Sequence, residues 1–95
     1  MSYRFEWDNN KARSNIIDHG VSFDEASTVF DDSLARIFDD EEHSMDERRE
    51  IIIGHSIKRR LVLVCFTSRG TRIRLFSARR ATPLERKDYE ENVSS

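Results

Sequence analysis

A chain of 95 residues is sized for one domain, here residues 1–95, with a modest core. Its single cysteine, Cys65, rules out an intrachain disulfide, and its longest apolar run, Leu61 to Phe66, is far too short to span a membrane. The polar start MSYRFEWDNNK does not read as a signal peptide, so a soluble cytoplasmic protein is expected.

The net charge of −2 conceals a segregation: residues 1–50 carry −8 and residues 51–95 carry +6. Between Arg48 and Arg80 the only acid is Glu50. Such a division can put a cationic face on a nearly neutral protein, or it can let the two halves neutralise each other across the fold.

Tyr3 to Trp7 alternates aromatic and charged residues, the period of a half-buried strand. Asp8 supplies an N-cap oxygen for a helix reaching about His19, with Ala12, Ile16 and His19 on one face and Gly20 placed to end it in the left-handed region. Ser22 and Glu25 have capping-box spacing at the head of a second helix, whose apolar stripe is Phe23, Ala26, Val29 and Phe30. Leu34 to Phe38 reads as a strand, and the acid-rich residues 39–47 read as a loop. Three strand-like runs follow, Arg49–Ser56, Arg60–Ser68 and Thr71–Ala78, with joints short enough for antiparallel hairpins and Gly70 free to take positive φ. Thr82, Pro83 and Glu85 then open a last helix, running to about Asn92, with residues N-cap, N1 and N3 positions favour. The expected class is α+β: two N-terminal helices and a C-terminal helix with an antiparallel sheet of about four strands, one sheet face left open.

The segment RGTRIRLFSARRAT, residues 69–82, contains five arginines. Strand alternation puts Ile73, Leu75 and Ser77 on one face and Arg72, Arg74, Phe76 and Ala78 on the other. Two neighbouring guanidinium groups repel unless an anion lies near. That anion could be the chain's own acidic segment, Asp39 to Glu42, or phosphate, which arginine binds in a bidentate way while aromatic rings stack on bases. Strict alternation sends Arg79 to the opposite face unless the strand kinks near Ser77, and a salt bridge to Glu85 or to a loop carboxylate is its structural alternative. Of the three histidines, His19 reads as a helix-end residue, His43 lies in the acidic loop, and His55 lies near a strand end. No pair has metal-ligand spacing and no glycine-rich phosphate loop is present, so neither metal nor cofactor is expected.

Three stretches carry a resemblance. FEWDNNKARSNIIDHGVSFDEASTVF, DEEHSMDERREIIIGHS and RIRLFSARRATPLERKDYE are together similar to the BrnT family of type II toxin–antitoxin toxins over nearly the whole chain. The matching positions include Trp7, Asp8, Lys11, Asn15, His19, Gly20, His43, Arg49, Gly54, Arg72, Arg74, Arg79 and Glu85, while Asp18 replaces a usual lysine and Phe76 a usual isoleucine. The resemblance implies a RelE/ParE-like fold, a growth-arresting ribonuclease, a BrnA-like antitoxin partner, an RNA substrate on or off the ribosome, and operator DNA contacted only through the antitoxin. Metal-free RNA cleavage needs a base for the 2′-hydroxyl, an acid for the leaving 5′-oxygen and cations around the phosphorus. Arg72, Arg74 and Arg79 suit the cationic role, His43 the acid–base role, and Lys11 that of a proton donor. Arg49, Phe76 and Arg80 join Arg72 and Arg74 as RNA contacts. Two alternatives share the same basic face: an RNA-binding module without chemistry, and an antitoxin- or protein-binding module.

Overall fold

The computed structural model describes residues 3–43 and 47–94, with the side chains of 43, 93 and 94 outside that description. Strand β1 (Arg4–Glu6) leads into helix α1 (Asn9–His19), helix α2 (Phe23–Thr28) and a 3-10 turn, Val29–Asp31. Then come β2 (Arg36–Asp39), a 3-10 turn Glu41–His43, β3 (Glu50–His55), β4 (Leu61–Arg69), β5 (Arg72–Arg80) and α3 (Pro83–Ser94). No described helix is long and apolar enough to cross a membrane.

The sheet has five strands in the order β1-β5-β4-β3-β2, against the expected four. It is also mixed: β1 runs parallel to β5, pairing Arg4 with Arg72 and Glu6 with Arg74, whereas every other pair is antiparallel. The β2–β5 run is a meander of adjacent strands. β1 adds to its far edge after the chain has been through both N-terminal helices, so no hairpin turn dictates its direction.

The helices divide between the two faces rather than gathering on one. The main core joins Val21, Phe23, Ala26 and Val29 of the α1–α2 region to Ile52, Val62, Val64, Phe66, Ile73, Leu75 and Ala78 of the sheet. On the opposite face Tyr89 of α3 packs with Ile53, Leu61 and Leu63. Only half of that second face is covered, and the uncovered half holds the cleft described below.

Local signals at the helix ends act largely as expected. Asp8 Oδ1 accepts hydrogen bonds from the N–H groups of Asn10 (2.8 Å) and Lys11 (3.0 Å), and Gly20 takes φ +68°. Thr82 and Glu85 form a reciprocal capping box: Thr82 Oγ1 accepts from Glu85 N–H at 3.2 Å, and Glu85 Oε1 from Thr82 N–H at 2.9 Å. The box at Ser22 is only half made. Ser22 Oγ accepts from Glu25 N–H at 3.0 Å, but the buried Glu25 carboxylate turns to Arg60 and to Ser56 Oγ (2.7 Å) in the β3–β4 turn. The hydrogen bond from Arg60 holds the Glu25 carboxyl below its ordinary range.

Of the face expected of α1, only Ala12 packs against the main core. Ile16 and His19 are exposed, and the buried side chain is Asn15. Its Nδ2 donates to Val21 O (2.9 Å) and Ala78 O (2.7 Å), while its Oδ1 accepts from Ala78 N–H at 3.1 Å. β1 covers only Arg72 to Arg74 of β5. Beyond it, the Asn15 amide replaces a neighbouring strand and locks α1 along the sheet edge. On the other side of the fold, Gly54 lets the Val29–Ala35 segment close onto β3, since a Cβ there would lie 2.9 Å from Ala35 Cβ and 3.2 Å from Val29 Cγ1.

Candidate functional site

The register of β4 against β5 slips between Cys65 and Phe66: Cys65 pairs with Ser77 and Phe66 with Leu75, leaving Phe76 as the extra residue of a bulge. The bulge inverts the side-chain parity of the rest of β5. Ile73 and Leu75 face the main core, and so does Ala78, an even position after two odd ones. Ser77 and Arg79 are thereby brought to the face that carries Arg72, Arg74 and Phe76. The kink on which Arg79's placement depended is present, while Arg80, opposite Val62, falls on the other face at the strand end.

Phe76 and Arg79 border an open cleft of about 410 Å³ whose lining comes from several separate segments of the chain. Lys11 and His19 reach it from α1, Arg49 from the residue just before β3, Asp40 and Glu42 from the turn after β2, and Leu63 and Cys65 from β4. The Arg49 guanidinium carbon lies 3.9 Å from the centre of the Phe76 ring, and Lys11 Nζ lies 5.5 Å from it. Both cations are held by the electron-rich ring face. Phe76 thus supports Arg49, and the ring face expected to receive an RNA base already carries a guanidinium.

Arg79 makes the salt bridge foreseen as its alternative. Both terminal nitrogens meet Glu85, at 2.8 Å each, a bidentate pair that leaves the guanidinium at the cleft wall in a fixed orientation. The Arg79 hydrogen bonds pull the Glu85 carboxyl from its ordinary 4.5 to about 2. A carboxylate with a lowered folded-state pKa contributes stability that is complete above its unfolded value and is lost as pH falls through the folded one. Stability to urea should therefore decline from about pH 4.5 towards pH 2, with Glu25 contributing in the same direction. Arg79→Gln should flatten that decline, and an unchanged slope would contradict the coupling.

On the acidic side of the cleft, Asp40 is almost fully buried and accepts a 3.4 Å contact from Cys65 Sγ. Burial and the Asp40 carboxylate push the Cys65 thiol up to about 11, so it stays protonated and is a poor nucleophile. Cys65 is partly buried at the cleft floor rather than packed in the core. Asp39 does not face the cleft but pairs with Arg48 at 2.8 Å.

The remaining expected residues divide. Arg72 and Arg74 lie outside the cleft lining and share one carboxylate, Glu6, at 3.7 and 3.2 Å. The His43 side chain and Ser44 are outside the described residues, although the backbone of His43 directly follows cleft-lining Glu42. His19, read from the sequence as a helix-end residue, is brought into the cleft. Its signal was available in the spacing from Lys11: eight positions on a helix is just over two turns, so both residues can look the same way. Among the described residues no group of three or more His, Cys, Asp or Glu side chains is arranged to hold a metal ion.

These features describe a small α+β domain with a cationic, aromatic-backed cleft on its half-covered sheet face. Residues 7–85 match the family model described as ribonuclease toxin, BrnT, of type II toxin–antitoxin system, and the chain belongs to that family. Membership implies an RNA substrate and an antitoxin partner. The fold is also that of the 1.1 Å crystal structure of the Brucella abortus ribonuclease toxin BrnT, with a TM-score of 0.65 over 85% of this chain and 99% of that one, at 23% identity. No curated protein sequence matches the chain significantly.

Proposed function

We propose that this chain is a metal-independent endoribonuclease toxin of the cytoplasm, neutralised by a BrnA-like antitoxin through which it also meets operator DNA. The observation that supports this reading is the convergence of Lys11, His19, Arg49 and Arg79, from three separate elements, on one cleft. The reaction is a transesterification. The 2′-oxygen attacks the adjacent phosphorus, its proton passes to a base, the bond to the 5′-oxygen breaks, and that oxygen takes a proton from an acid. The products are a 2′,3′-cyclic phosphate and a 5′-hydroxyl.

Lys11, Arg49 and Arg79 stabilise the charge that builds on the phosphoryl oxygens, because they are cations already oriented by Phe76 and Glu85. His19 serves as one acid–base group and His43, the residue after cleft-lining Glu42 in the chain, as the other. Arginine cannot take that part, since it does not release its proton.

Purified protein incubated with end-labelled RNA should cleave equally well in EDTA and in magnesium, leaving 2′,3′-cyclic ends. The pH–rate profile should be bell-shaped, with His19→Gln and His43→Gln each abolishing a different limb and costing about 10²–10⁴-fold. Loss of cleavage in EDTA would remove the metal-free reading. Tight RNA binding with no cleavage under any condition would leave a binding module in its place.

A further inference from the structure

The cleft ends at Phe76, yet the cationic surface continues along β5. By alternation Arg4 and Glu6 of β1 lie on the same face as Arg72 and Arg74, and the parallel register sets Arg4 beside Arg72 and Glu6 beside Arg74. Glu6 is the carboxylate paired with both Arg72 and Arg74. Two guanidinium groups share one carboxylate, and Arg4 stands beside Arg72 in the register. Arg72 is 60% exposed and its contact with Glu6 is long, at 3.7 Å. Such surface pairs contribute little and are readily exchanged for another anion.

Distance separates this patch from the chemistry. Arg74 and Arg72 stand two and four positions before Phe76, about 7 and 13 Å along a strand that rises about 3.3 Å per residue. A phosphate held at Arg72, the farther of the two, is set apart from one in the cleft and fits a neighbouring phosphate of the same strand. Asp8 lies close enough to Lys11 and Arg74 to feel both charges, so the patch and the cleft adjoin at the head of α1.

We infer that Arg72 and Arg74, with Arg4 beside them, form a phosphate-binding track for single-stranded RNA flanking the scissile bond, and that Glu6 is the internal anion the RNA displaces. The inference rests on the ribonuclease reading of the cleft and extends it. The substrate is a strand several nucleotides long, gripped by its backbone along β5 and without base selection at the track. Arg72 and Arg74 are then binding residues, not catalytic ones.

The test compares the full-length protein with Arg72→Ala/Arg74→Ala, and with the milder Arg72→Gln/Arg74→Gln, on a dinucleotide and an octanucleotide. Both double variants should lower the octamer-to-dinucleotide ratio of kcat/KM by about tenfold or more, through KM rather than kcat. The salt slope of octamer binding should fall by about 1.4, which corresponds to two single-strand phosphate contacts. Glu6→Gln should tighten octamer binding several-fold. Equal losses on both substrates, carried by kcat, would put the arginines at the scissile phosphate and overturn the track, and so would no change on either. Binding of a non-cleavable 2′-O-methyl octamer reads the track even if the protein cuts nothing. That arm separates failure of this inference from failure of the ribonuclease reading.

Discussion

Arg49→Ala should lower RNA cleavage by about 10²–10³-fold, the usual cost of removing one preoriented donor from a developing anion. The argument rests on the orientation of the guanidinium as much as its charge. Stacked at 3.9 Å on Phe76, it faces the cleft before substrate arrives and loses little freedom on binding. Arg49→Lys keeps the charge without the planar fork and should recover only part of the rate. Phe76→Leu should cost less than Arg49→Ala, and should add only a small further loss, through the more distant Lys11, when Arg49 is already alanine, because the ring acts chiefly through the guanidinium. Single-turnover cleavage of the two single variants and the double variant measures that coupling. Additive losses would mean that Phe76 touches RNA directly, and a fully active, folded Arg49→Ala protein would remove Arg49 from the reaction.

What the sequence made legible follows from the range over which each signal acts. The caps at Asp8 and Thr82 and the turn at Gly20 are local chemistry within four residues, and all three are present in the structure. The strand segments follow from period-2 patterning, and the amphipathic character of β5 was readable up to Phe76. The bulge was not, because a register slip depends on what the partner strand offers at Cys65 and Phe66. Without it, Arg79 and the cleft cannot be placed. Glu25 shows the same limit: its spacing from Ser22 predicts a capping box, but its carboxylate goes to Arg60, 35 positions away. The arginine pattern of β5 was readable from the strand period, but the pairing of Arg72 and Arg74 with Glu6 was not, because Glu6 arrives only through the parallel pairing of β1.

Asn15→Ala should damage the fold strongly, at about 2–4 kcal/mol, because three buried backbone groups lose their partner together. Asn15→Asp should be no better, although it is nearly isosteric. One carboxylate oxygen can still accept from Ala78 N–H, but the other would face the carbonyl oxygens of Val21 and Ala78 with no proton to give. Activity should fall further than the unfolded fraction explains. Asn15 fastens α1 to Ala78, and α1 carries Lys11 and His19 while Ala78 directly precedes Arg79. Loosening that joint separates the two walls of the cleft, and displacement of about 1 Å can cost about 10²-fold in rate. Urea unfolding gives the first effect. Cleavage below the midpoint, corrected for the folded fraction, gives the second. A folded Asn15→Ala protein with undiminished cleavage would show that α1 does not position the site, and that the chemistry belongs to β5, Arg49 and the acidic turn.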